Sequence, residues 1–356
     1  MTVYGNTNSR LKLALDATYS TGRNLTGVGI YSREILWGLA LAHPEVDFHF
    51  CYRPHRYLAG RREQFPSNVG LRLLHDAPFL PTFEFLHGLN QRLPKRKAKR
   101  FVTTFHDLFV MTADYSTAEF KQRFAEQARD AAERSDLIIC VSAFTANQVH
   151  ELLQVERSKL RVVHHGVRFP APNQEPLSFN REEKVILFVG ALQKRKNLVR
   201  LIKAFEQVGP EWRLVLAGSH GFGAEEILDQ AANSPRSADI ALPGYISDEK
   251  LEQYYANCDI FAFPSLDEGF GIPVLEAMAW GIPVLTSNRS AIPEVTGDAA
   301  LHVDPEDEEE MAFALKTLTS EEGLRRKLSQ MGMERAAQFS WETAVDQTWA
   351  VYKDLF

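Results

Sequence analysis

Residues 260–288 read as a strand, a loop, a helix and a second strand, and that order commits this part of the chain to a parallel sheet. The apolar run Ile260, Phe261, Ala262, Phe263 stops at Pro264. Pro273 suits the first position of a helix, and Gly281 suits its end before Pro283, Val284 and Leu285. This predicts Glu268 in the loop at the carboxyl end of a strand and Glu276 in the first turn of the helix. A helix start has unpaired N–H groups and a partial positive charge. The amides of Phe270, Gly271 and Ile272 therefore offer a phosphate site that needs no metal, with Gly269 and Gly271 letting a ligand come close.

Two carboxylates beside an anion site fit a ligand that carries both phosphate and neutral hydroxyls, as a sugar nucleotide does. Two glutamates at one spacing also arise where a helix start simply favours acidic side chains. A second feature shifts the balance. Lys184-Val-Ile-Leu-Phe-Val-Gly190 reads as a buried parallel strand, and it leads through Arg195, Lys196 and Asn197 into a helix with apolar spacing over residues 198–208. Cations at a helix start oppose the helix dipole but suit an anion, since Arg forks onto two phosphate oxygens and Lys adds a compact charge. Taken alone, this segment is equally a solvated basic turn.

In the first half, residues 11–16 form a strand, and Gly27 and Gly29 precede a helix expected to start near Ile30. This is not a dinucleotide fingerprint: Ser32 stands where the third glycine belongs, and the pair comes too far after the strand. His106 follows the strand Val102-Thr-Thr-Phe105, which puts it at a carboxyl end facing a cleft, although a lone histidine is more often structural. Strands alternate with helical patterns throughout the 356 residues, a length that suits two domains. The fold class is α/β, with two doubly wound sheets and ligand bound in the crevice between them. The polar, proline-bearing residues 168–176 mark the boundary.

These motifs resemble the retaining, nucleotide-sugar-dependent glycosyltransferases of the GT-B type, family 4-like, and among them most resemble bacterial mannosyltransferases of glycan assembly. The resemblance rests on Gly190 followed by Arg195-Lys196-Asn197, Leu216-Ala-Gly218, Pro243-Gly244, Pro264-Ser265, the Glu268 and Glu276 pair, and Ser290-Ala-Ile-Pro-Glu294. The looser first half contributes Thr26-Gly27-Val-Gly29-Ile-Tyr31, His106-Asp107, Val141-Ser142 and His165-Gly166. It implies two Rossmann-like domains facing a central cleft: an acceptor-side domain at 1–168 and a nucleotide-sugar domain at 169–339. It also implies a C-terminal helix, 340–356, that crosses back to the first. It implies transfer of a hexosyl group from a nucleoside diphosphate sugar to a saccharide or lipid-linked acceptor, with retention, GDP-mannose being favoured. A UDP-glucose-type glucosyltransferase and a GT-B sugar-nucleotide epimerase remain alternatives. In the roles it implies, Glu268 and His106 contact the transferred sugar, Arg195 and Lys196 hold the diphosphate and Glu276 the ribose. Gly27, Gly29, Gly190 and Ile246 complete the donor site. One departure is Ala191, where many members carry Arg.

No Asp-x-Asp occurs, so neither a catalytic metal nor a cofactor is expected, the nucleotide sugar being a co-substrate. Net charge is −6, divided as +7 over residues 1–168 and −13 over residues 169–356. The acidic total and the lack of a recognised module argue against nucleic acid. The densest basic run, from Arg92 to Arg100, follows an aromatic segment with Phe79, Phe83 and Phe85 and reads as a membrane-surface patch for lipid-linked acceptors or, equally, as a soluble basic loop. No run of eighteen apolar residues and no signal peptide is evident. Three scattered cysteines, Cys51, Cys140 and Cys258, fit a reducing cytoplasm, with the inner membrane face as the place for peripheral contact. Ser340 can cap a final helix whose apolar side includes Ala344, Val345, Trp349 and Tyr352.

Overall fold

The computed structural model describes residues 10–22, 25–76, 82–170 and 184–356. Phe79 and residues 171–176 of the expected boundary lie outside them.

The chain forms two parallel sheets whose central strands are largely buried and whose edge strands are partly exposed. The first contains β1 (Lys12–Asp16), β2 (Asp47–Tyr52), β3 (Val69–Leu73), β4 (Phe83–Gly88), β5 (Ala98–Phe105), β6 (Leu137–Cys140) and β7 (Leu160–Val162), in the order β3-β2-β1-β4-β5-β6-β7. The second contains β8 (Lys184–Val189), β9 (Trp212–Ala217), β10 (Ile240–Gly244), β11 (Ile260–Phe263), β12 (Val284–Ser287) and β13 (Leu301–Val303), in the order β10-β9-β8-β11-β12-β13. This is the GT-B arrangement of two Rossmann-like domains. In each sheet the strand order reverses once, between β1 and β4 and between β8 and β11, and such a reversal opens a crevice at the carboxyl ends.

Apolar clusters cover both faces of the first sheet. One of them takes Trp341, Ala344, Val345, Val351 and Tyr352 from the C-terminal end of the chain. The Trp341–Lys353 helix, capped by the Ser340 hydroxyl accepting from Thr343 N–H, thus lies on the first domain, against the Gly27–Ala42 helix. Tyr352 donates to or accepts from His87 Nδ1 at 2.6 Å, and Trp349 stacks on His43 at 3.8 Å between ring centroids.

Two local expectations are corrected. The Gly27–Ala42 helix begins at the glycines and not near Ile30, because Ile30 N–H already bonds the Thr26 carbonyl. Glu276 lies in the second turn, since the helix starts at Ile272. The basic run is also more tied down than its sequence implies: Arg96 is buried over the Phe83 ring, Lys99 pairs with Glu84 and Arg100 with Asp136. No helix among the described residues is long and apolar enough to cross a membrane.

Candidate functional site

The two crevices face each other, and the loops that leave them touch. After β8 the chain turns through Gly190, at φ +147°, into the segment Lys194–Lys196 and, past Asn197 at φ +60°, into the Leu198–Phe205 helix. After β11 it runs through Ser265, Asp267 and Glu268 to the Ile272–Ala279 helix. Because β8 and β11 are adjacent, the cations of one turn meet the carboxylates of the other.

Glu268 is the centre of that meeting. Its Oε1 accepts from Arg195 Nη1 at 2.7 Å, from Ser265 Oγ at 2.6 Å and from Lys196 Nζ. Burial alone would push the Glu268 carboxyl up, but Arg195 and Lys196 outweigh it and hold it below its ordinary value. Burial draws Lys196 down to about 8, with Arg195 adding to the effect and Glu268 opposing it. Arg195 also donates to the Asp267 carbonyl at 2.8 Å, and its guanidinium lies 4.3 Å from the Phe109 ring centroid across the domain junction.

His106 comes from the opposite crevice, directly after β5. Its Nε2 lies 3.0 Å from the Leu89 carbonyl, an acceptor only, so Nε2 carries the proton and Nδ1 presents a lone pair. Burial lowers its pKa to about 4, so the ring is neutral at pH 7. Tyr31 meets the rings of His106 and His165 edge-on, at 4.8 and 4.9 Å. The neighbouring Asp107 is pushed up to about 6, first by burial and then by the charges of Glu268 and Asp267, against the pull of Arg195.

Glu276 stands apart from this cluster. Its carboxylate accepts from the Tyr255 hydroxyl at 3.0 Å in a cleft lined also by Arg168, Asp248 and Trp280. Burial raises its pKa to about 7. The amides of Phe270, Gly271 and Ile272 donate to no acceptor among the described residues, which leaves this helix start able to receive an anion.

The glycines serve a purpose other than the one expected. A Cβ on Gly269 would sit 1.7 Å from the His106 carbonyl oxygen, and one on Gly271 would sit 2.7 Å from Ile292 Cδ1. Both positions admit protein, the first admitting the other domain. Gly27 lies against Ile272 of the other domain at a Cβ distance of 3.4 Å, and Gly29 is closed in by Tyr19 and Leu25. Ile246 is half-buried on the second domain's core, in the loop after β10. The structure thus brings together Glu268, Arg195 and Lys196 as a contact cluster, with His106 joined to it through Gly269. Glu276 and Ile246 line separate stretches of the second domain.

Sequence reasoning missed Asp267, Phe109 and Thr112. Asp267 Oδ2 accepts from Thr112 Oγ1 at 3.0 Å, so the short Phe109–Thr112 helix of the first domain is fastened over the cation pair. Nothing in the spacing of these residues signals a contact between domains. Asp267 directly precedes the glutamate singled out, and its acidity there was the available hint.

Residues 171–335 match the family model described as glycosyl transferases group 1, and residues 79–169 match glycosyltransferase family 4. The chain is 30% identical to the O-antigen chain mannosyltransferase B of Escherichia coli, over 92% of this chain and 96% of that one. It is 27% identical to the MMP alpha-(1->4)-mannosyltransferase of Mycolicibacterium hassiacum, over 89% of this chain and 76% of that protein. Among solved structures, sucrose-phosphate synthase from Thermosynechococcus elongatus superposes with a TM-score of 0.74 at 22% identity, over 98% of this chain and 99% of that one. Anabaena HepE in complex with UDP and glucose gives 0.72 at 17% identity, over 97% and 99%.

Proposed function

We propose that this chain, which belongs to the glycosyltransferases of group 1 and family 4, transfers a mannosyl group from GDP-mannose to a hydroxyl of a growing saccharide or lipid-linked acceptor, with retention at the anomeric carbon. The observation that carries the reading is the cluster of Arg195, Lys196 and Glu268 at the crevice of the second sheet, facing His106 across the domain junction. The mannosyl donor is supported by relatives that are themselves mannosyltransferases, one of them aligned over nearly the whole chain.

In this reading the sugar–phosphate C1–O bond breaks and a new C1–O bond forms to the acceptor on the same face. The acceptor's proton passes to the departing phosphate oxygen. Arg195, Lys196 and the amides at the Ile272–Ala279 helix start stabilise the charge that builds on the diphosphate, so they act most strongly in the transition state. Glu268 and the bare Nδ1 of His106 accept hydrogen bonds from sugar hydroxyls, and Glu276 accepts them from the ribose. None of these steps calls for a metal. The acceptor enters from the basic first domain, and the exposed Arg92, Lys95 and Lys97 suit an anionic membrane face that carries a lipid-linked acceptor in the cytoplasm.

A second reading, transfer of glucose from UDP-glucose, is favoured by structural neighbours solved with UDP, glucose or UDP-glucose. Thermal shift with GDP-mannose, UDP-glucose and related donors separates the two. A ligand at a hundred times its Kd adds about 2.7 kcal/mol of stability. GDP-mannose is expected to give the larger shift, and proton NMR of the product is expected to show the donor's anomeric configuration. A larger shift with UDP-glucose replaces the mannosyl assignment, and an inverted anomer ends the retaining one.

A further inference from the structure

One carboxylate oxygen, Glu268 Oε1, collects three donors: Arg195 Nη1, Lys196 Nζ and Ser265 Oγ. Two of these belong to the pair assigned above to the donor's diphosphate, and the inference rests on that assignment. The side chains of Arg195, Lys196 and Glu268 are 13%, 7% and 11% exposed, so water screens the contacts only weakly. An anion that arrives at Arg195 and Lys196 therefore finds a protein anion already there. The second carboxylate oxygen, Oε2, makes no hydrogen bond among the described residues.

Two carboxylates beside this one sharpen the conflict. Asp267 precedes Glu268 in the same loop, and the Asp107 Cβ lies 3.0 Å from where a Cβ on Gly269 would stand. With Glu268 they set three acidic side chains against two cations. A diphosphate added while Glu268 stays in place would bring further negative charge into an already acidic, poorly solvated pocket. Glu268 has one alternative set of partners, the hydroxyls of the donor's sugar, which can hydrogen-bond the carboxylate once it leaves the cations. A bare nucleoside diphosphate lacks those hydroxyls.

We propose that Glu268 is an internal competitor for the diphosphate site and makes the enzyme distinguish the intact sugar nucleotide from the nucleoside diphosphate product. When the donor binds, its sugar hydroxyls take over the carboxylate while its phosphates take over Arg195 and Lys196. After transfer the sugar has gone to the acceptor, Glu268 returns to the two cations, and the product is displaced. The same residue thus holds the sugar during the reaction and helps to empty the site after it.

The test compares binding of GDP, GDP-mannose and inorganic pyrophosphate to the wild type, Glu268→Gln and Lys196→Ala by calorimetry at pH 6.5. That pH lies below the value of about 8 to which Lys196 is drawn in the wild type, so Lys196 is charged there. Removing a charged hydrogen-bonding rival is expected to tighten GDP and pyrophosphate roughly tenfold in Glu268→Gln. GDP-mannose should gain less or weaken, so the ratio of the two affinities collapses. Single turnovers should show product release slowed in the same variant. Ser265→Ala, which weakens the hold on Oε1 without removing its charge, should tighten GDP and pyrophosphate in the same direction as Glu268→Gln but by less, and keeps the test open if Glu268→Gln folds poorly. GDP bound no more tightly by Glu268→Gln, with Lys196→Ala still weakening it, overturns the competition alone. Binding of GDP and pyrophosphate that ignores Lys196 overturns the diphosphate assignment beneath it.

Discussion

The Glu294 carboxylate of the second domain accepts a hydrogen bond from the Ala143 backbone N–H of the first at 2.8 Å, and so closes the start of a helix to which it does not belong. The same carboxylate takes the Phe144 N–H at 3.2 Å and lies 2.7 Å from His164 Nε2. Beside it, Ser142 and Thr145 hydroxyls donate to the Gly269 carbonyl at 2.7 and 3.2 Å. The domains are therefore pinned at the loop that carries Glu268, and the cap sets the cleft.

Glu294→Gln keeps the shape but loses the charge, and it should cost about 1–2 kcal/mol at neutral pH. Burial works against ionisation of Glu294, but the bonds from His164, Ala143 and Phe144 outweigh it and hold the carboxyl below its ordinary value of 4.5. A depressed carboxylate stabilises above the unfolded value and loses that contribution as pH falls through the folded one. The gap in Tm between wild type and variant should thus be full at pH 7 and shrink below pH 4.5. A gap of the same size at acid pH would place the effect outside the carboxylate's charge.

The C-terminal helix gives a second expectation. A Cβ on Gly38 would stand 2.4 Å from Val345 Cγ2, so the two helices approach closely because Gly38 has no side chain. Gly38→Ala should destabilise by about 1–3 kcal/mol through overpacking, despite the better helix propensity of alanine. Gly38→Ala with Val345→Ala should recover part of that loss, a coupling measurable as a double-mutant cycle by urea unfolding. Strict additivity would mean that the helices are not in contact at this point.

What the sequence made legible follows from how local each signal is. Strand runs such as Lys184–Val189, and the proline and glycine at either end of the Ile272–Ala279 helix, are set by neighbours in the chain and were read correctly. The two-sheet architecture follows from their alternation. The cluster of Arg195, Lys196 and Glu268 was half legible. Each residue could be placed at a strand end, but that Glu268 is itself the anion on both cations depends on β8 and β11 being neighbours, which no spacing states. The Gly269 error has the same origin, since glycine reports a close approach and not what approaches. Glu276 was placed one residue too early in the helix, because Pro273 takes its second position and not its first. Contacts across the domain junction, Thr112 with Asp267 and Glu294 with Ala143, join residues more than 150 positions apart and have no sequence signature.

Gly269 supports the third expectation. Its Cβ position is 1.7 Å from the His106 carbonyl oxygen, a backbone atom that cannot rotate away. Gly269→Ala must push the two domains apart or unfold the loop that follows Glu268. Activity should fall at least a hundredfold, because misplacing reacting groups by about 1 Å costs that much. Circular dichroism should still show both sheets, as the clash lies between domains. An active Gly269→Ala would mean that the domains are not held this close during turnover.

The pH dependence of donor binding should have two limbs that belong to different residues. Burial raises Glu276 to about 7, with Tyr255 and Arg168 opposing and Asp248 adding. A ribose diol needs the ionised carboxylate as acceptor, so affinity should fall as pH drops below 7 and be roughly tenfold weaker at pH 6 than at the plateau. Lys196 is drawn down to about 8 and loses its charge above that pH, which weakens the diphosphate grip on the alkaline side. The optimum should therefore lie between 7 and 8. His106 is drawn down to about 4 and does not titrate in this window. Asp107, pushed up to about 6, ionises below the acid limb assigned to Glu276. Glu276→Gln should bind more weakly and lose the acid limb while keeping the alkaline one. Lys196→Arg keeps its charge throughout and should lose the alkaline limb alone. Calorimetric titrations of donor from pH 5.5 to 9.5 would resolve both, and an acid limb that survives in Glu276→Gln would move it to Asp107.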